Sequence, residues 1–131
     1  MEVKNFIWLS IMDYKFINTE YLDSVSGGEP GIINEIVVIF KEQSVEIYNE
    51  MKSLLAVKNY TSLGLLAHKA KSSVAIMGMS NLAEMLKTFE LQAKEGKEAE
   101  LYGSYIERFF SDTQESIREL DDLISHRLNK S

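Results

Sequence analysis

The chain has 131 residues, enough for one domain with a real hydrophobic core. Its hydrophobic content of 45% and single proline point to a folded, largely helical protein. A net charge of −6 argues against nucleic acid as a partner, and the lack of cysteine excludes disulfides and thiolate metal sites.

Near the start, Phe6, Ile7, Trp8, Leu9, Ile11 and Met12 form an apolar patch that Asp13 ends. The patch is too short to span a bilayer, and it lacks the basic lead and small-residue cleavage site of a signal peptide. Residues 1–17 are expected to form an arm or short helix on the rest of the protein, with Met12 as an alternative start that makes residues 1–11 dispensable. The expected location is cytoplasmic, with no membrane contact.

Asn18 or Thr19 can cap a short helix to about Ser24, which Ser26-Gly27-Gly28 breaks. Pro30 suits the first turn of the next helix, where Ile33, Ile36, Val37, Phe40, Ile47, Met51 and Leu54 share one face. The polar stretch from Lys58 to Ser62 turns the chain into a helix running to about Met77. Its buried stripe is Leu63, Leu66, Ala67, Ala70, Val74 and Met77. Gly78 ends that helix and Ser80 can cap another, striped by Leu82, Leu86, Phe89 and Ala93 and closed by Gly96. The last helix starts near Glu100 and turns Ile106, Phe109, Phe110, Thr113, Ile117, Leu120 and Ile124 inward. The expected fold is all-α: an up-down antiparallel four-helix bundle over residues 18–128, with a short additional N-terminal helix.

One stretch stands apart chemically. From Met51 to Ala83 the chain holds Lys52, Lys58, Lys69 and Lys71 and not one of its 20 acidic residues. Within it, at about 100° per residue, His68 points roughly 150° away from the buried stripe, into solvent. Gly64, Lys71, Ser72 and Ala75 share that outer face, and Leu65 and Ile76 lie close by. A neutral imidazole is nucleophilic, and Lys71 one turn away sets a positive charge beside it, so the pair reads as a reactive group left open to a partner. Small neighbours leave the ring clear, while exposed Leu65 and Ile76 suit docking by another protein. The acid-free surface, Lys69 included, favours encounter with an acidic partner.

Other chemistries lack their residues. His68 and His126 form no zinc pair, and His126 beside Arg127 reads as a helix-end cation. Gly27-Gly28 lacks the lysine of a phosphate-binding loop, and no Glu-x-x-His pair supports a di-iron site.

The run Leu66-Ala67-His68-Lys69-Ala70-Lys71-Ser72-Ser73, followed by Gly78, Leu82, Phe89-Glu90 and Gly96, resembles the signature of histidine-containing phosphotransfer (HPt) domains. The likeness covers about residues 19–110. It implies a carrier in which His68 takes a phosphoryl group from the aspartate of a receiver domain and hands it to another receiver. It also implies no kinase activity, no nucleotide and no cofactor in this chain, with Mg²⁺ supplied by the receiver, and a monomeric protein. The family usually has glycine where this chain has Ser72, which bears on partner specificity. Two rival readings share the fold: a module that docks and sequesters a receiver without transfer, and a purely structural bundle.

Overall fold

Asn18 sets the start of the first helix, its side chain accepting a hydrogen bond from the Glu20 amide at 2.9 Å. This helix, α1 (Thr19–Ser26), ends at Gly27 in the left-handed region. The computed structural model describes residues 14–130, so the apolar patch at Phe6–Met12 lies outside the described residues.

Four longer helices follow: α2 (Pro30–Ala56), α3 (Tyr60–Ile76), α4 (Ser80–Glu95) and α5 (Tyr102–Lys130), with a 3-10 turn at Ala99–Leu101 before the last. Pro30 occupies the first turn of α2, where its missing amide costs nothing. Boundaries shift by a few residues: α1 runs on to Ser26 rather than about Ser24, and α5 starts at Tyr102 rather than near Glu100. The Asn59 side chain accepts from the Ser62 amide, so α3 begins at Tyr60 and the turn before it is shorter. Ser80 lies inside α4; Met79 is the capping residue and offers no side-chain bond.

Cross-helix pairs define the bundle. Lys41 reaches Asp121 at 3.0 Å and Tyr48 stacks on Phe110 at 4.2 Å, so α2 and α5 run antiparallel. His68 meets Glu90 and Gly64 meets Lys94, so α3 and α4 do too. Each helix packs on its neighbours in the order α2–α3–α4–α5, with α5 closing back on α2. The result is the expected up-down four-helix bundle, all-α among the described residues, with α1 packed on α2.

The expected stripes are buried, apart from Ile36, Leu54 and Phe110 at the margin. Burying a side chain such as Leu86 or Phe89 contributes roughly 1.5–3 kcal/mol. Tyr102, which the sequence reading left out, is fully buried. Its ring contacts Tyr60 edge-on at 5.2 Å and Phe89 at 5.3 Å. Its hydroxyl bonds the carbonyl oxygens of Gln92 and Lys97, and burial pushes its ionisation upward. That anchor fixes the C-terminal half of α4. Buried Ser44, Thr113 and Ser116 bond carbonyls of their own helices, so core hydroxyls are satisfied locally.

The segment before α1 is held by its main chain. The amides of Lys15, Phe16 and Ile17 all donate to the carboxylate of Glu119 on α5, at 2.8–3.2 Å. Asn18 then crosses over Gly78, where a Cβ would fall within 2.5–2.7 Å of it. Only glycine fits there, and its φ of +73° is itself one that glycine favours.

Candidate functional site

His68 stands two turns into α3, its side chain 57% exposed, on the edge that faces α4. The ring is not alone. Glu90 rises from α4 beneath it, and both carboxylate oxygens lie 3.0 Å from Nδ1. The Glu90 side chain is only 7% exposed. Burial alone would raise its pKa, but hydrogen bonds from Lys94, His68 and Lys71, with the charge of Lys71, bring it down to about 2.

An ionised carboxylate can only accept, so Nδ1 carries the proton in this contact. In the neutral ring Nε2 then holds the free lone pair, on a side chain that is 57% exposed. The tautomer follows from Glu90, much as an orienting carboxylate sets the histidine of a hydrolase triad.

Two lysines share the same carboxylate. Lys94, one turn beyond Glu90 on α4, puts Nζ 2.7 Å from Oε2. Lys71 lies 3.4 Å from Oε1 and is 28% exposed. With neutral His68 the cluster holds two ammonium groups and one carboxylate, and is electropositive. An anionic group arriving at the ring would meet this positive charge.

The remaining residues of the outer face divide. Leu65, at 60% exposed, Lys69, Ser72, Ala75 and Ile76 are open to solvent, as expected. Gly64 is not. It is buried against α4, and a Cβ there would lie 3.0 Å from Lys94 Cγ and 3.2 Å from the Glu90 carbonyl oxygen. Its small size lets α4 approach α3 and does not clear a path for an outside partner. The expectation of an imidazole on an acid-free surface also needs correction. The window is free of acid along the chain, but α4 brings Glu90 into it in space.

Ser72 and Ile76 lead from His68 toward a groove between α2 and α3 of about 300 Å³. Val25, Ile36, Ile39, Phe40, Ile76 and Met77 supply its apolar lining. Val25 and Ile39 are about half exposed, so α1 and α2 bring exposed apolar side chains to the groove. His126 lies on α5 with Nδ1 3.0 Å from the Asp122 carbonyl oxygen, a contact within its own helix.

Glu90 joins the candidate site; in the sequence it stood only in the matched Phe89-Glu90 pair, with no role at the histidine. Its signal was the polar residue at the margin of an otherwise apolar stripe, beside Phe89 and one turn before Lys94. No helix among the described residues is long and apolar enough to cross a membrane.

Compared with known proteins, residues 35–126 match the family model described as Hpt domain, which spans most of α2 and all of α3 and α4, and runs into α5. Neither curated proteins nor solved structures give a significant match.

Proposed function

This chain belongs to the Hpt domain family, a phosphotransfer module of two-component signalling, and we propose that His68 is its phosphoacceptor. The phosphoryl group comes from the aspartyl phosphate of a receiver domain and passes to the aspartate of a second receiver. The observation that carries this reading is the bond from His68 Nδ1 to the buried carboxylate of Glu90, which leaves Nε2 free on an exposed ring.

In the transfer step the Nε2 lone pair forms a bond to phosphorus while the P–O bond to the receiver's aspartate breaks. The electron pair of that bond returns to the aspartate carboxylate. The Nδ1 proton stays in place, so the ring passes from neutral to cationic, and Glu90 lies where it offsets that charge. Lys71 meets the phosphoryl oxygens. Return transfer to another receiver reverses each movement, so the chain acts as a carrier without kinase activity of its own. The receiver supplies Mg²⁺, and this chain needs no cofactor.

The receiver docks over Leu65, Lys69, Ser72, Ala75 and Ile76 and extends onto the groove at Val25 and Ile39. That surface is apolar with basic residues beside it, which suits a partner carrying an apolar helix next to an acidic pocket. The bundle of residues 18–128 is the unit that does this.

The test is acceptance of label from a phosphorylated receiver. Wild type should take up acid-labile phosphate, and His68→Gln should take up none while melting within a few degrees of wild type. Glu90 keeps Lys71 and Lys94 in that variant, so the fold loses no more than about 0.5–1 kcal/mol. Label uptake by His68→Gln at the wild-type rate would overturn the assignment.

A further inference from the structure

Glu90 has more positive partners than one carboxylate needs. Lys94 holds Oε2 at 2.7 Å, whereas Lys71 stands off Oε1 at 3.4 Å. The Lys94 stem is also seated. It crosses α3 at Gly64, the position where a Cβ would press on its Cγ at 3.0 Å. Lys71, 28% exposed against 44% for Lys94, sits on the same helix face as His68, one turn away.

We propose that Lys94 is a positioning residue, the resident counter-ion of Glu90, and that its presence frees Lys71 to turn to the phosphoryl group on His68. This rests on His68 being the phosphoacceptor. A buried carboxylate stripped of its cation is strongly disfavoured, so one lysine must remain with Glu90. The partner with the shorter contact remains, its stem lying against Gly64. Lys71 can then leave a 3.4 Å contact and follow the phosphoryl oxygens, with Glu90 still paired to Lys94 and to Nδ1–H. Gly64 takes part indirectly, as the notch that admits the Lys94 stem.

Without Lys94 the arrangement inverts. Lys71 becomes the sole ammonium on a buried carboxylate and is held there, so the phosphoryl group loses its cation although Lys71 is present. A merely structural lysine would not act this way on Lys71.

A double-mutant cycle reads the difference, using Lys94→Met and Lys71→Met, which keep the apolar stems, and Lys94→Arg as the conservative variant. Transfer from a phosphorylated receiver should slow about tenfold in Lys94→Met, and Lys71→Met should cost several-fold less in that background than in wild type, the coupling expected of groups in contact. Lys94→Arg should restore most of the rate. Independent costs that multiply in the double variant, or a wild-type rate in Lys94→Met, would overturn the proposal. Carbon-13 titration of the Glu90 carboxyl needs no partner and should give a larger upward shift in Lys94→Met than in Lys71→Met; the reverse order also overturns it. Should wild type accept no phosphate at all, the phosphoacceptor reading fails, and the titration still decides which lysine is the counter-ion.

Discussion

Gly64 and Glu90 approach each other closely: a Cβ on Gly64 would stand 3.2 Å from the carbonyl oxygen of Glu90. Neighbouring Ala67 and Ala70 are also small and fully buried. Together they let α4 come near enough for its carboxylate to reach under the His68 ring. The depth of the site is therefore a property of helix packing before it is a property of the site residues.

Gly64→Val should lower stability by about 1–3 kcal/mol, the usual cost of overpacking, and should slow phosphotransfer as well. Gly64→Ala is subtler. Its gain in helix propensity, about 1 kcal/mol, opposes the few tenths of an ångström that α4 must yield. Its melting temperature should stay near wild type while its transfer rate falls. Melting curves and transfer rates on the same samples separate the effects, and a wild-type melt for Gly64→Val would show that the helices part freely here.

Acid should expose Glu90. Its carboxyl titrates near 4.5 when unpaired and near 2 in the fold, so folding is favoured by its ionised form. That stabilisation is complete above pH 4.5 and is lost as pH falls toward 2, a change on the order of 3 kcal/mol. Urea denaturation across this range should give a steeper pH dependence for wild type than for Glu90→Gln. Equal slopes would mean that the carboxylate gains nothing from its lysines and histidine.

Ser72 is exposed one turn after His68, where a partner must pass. Ser72→Gly should keep or speed transfer while costing roughly 0.5–1 kcal/mol of helix stability. Ser72→Phe and Ser72→Arg should slow transfer with little change in melting. A bulky residue that left the rate untouched would place the docked partner elsewhere.

Lys69 and Lys71 should respond differently to salt. Lys71 touches the Glu90 carboxylate, so Lys71→Ala should slow transfer at every ionic strength. Lys69 is exposed on the side of encounter, and Lys69→Ala should matter mainly below about 0.15 M, where screening lengthens beyond about 8 Å. Stopped-flow transfer over a salt series compares them. Parallel losses for both variants would reduce the role of Lys71 to that of a diffuse charge.

The helices and most of their ends were legible in the sequence because those signals are local. Asn18, Gly27, Pro30 and Gly96 act within a turn of where they stand. The outward turn of His68 also followed from helical spacing. What spacing could not decide was where the neighbouring helix would lie. His68 and Gly64 share one edge of α3, and α4 lies against both. Gly64, without a side chain, is covered by the Glu90 carbonyl and Lys94, whereas the His68 ring reaches over the Glu90 carboxylate and stays 57% exposed. The contact of Glu90 with its histidine was hidden by the same gap, since 22 residues and a turn separate the two. Ser80 was misread as a cap because serine is common there, although the local backbone gives the position to Met79.

Glu119 grips the segment before α1 through three consecutive amides and touches none of its side chains in those bonds. Such a clasp is blind to spelling. Exposed Lys15 can be exchanged for many residues without loosening it, because every residue but one brings the same N–H, whereas Phe16 also packs against the core. Proline is that one: at position 16 it would delete the middle donor of the attachment.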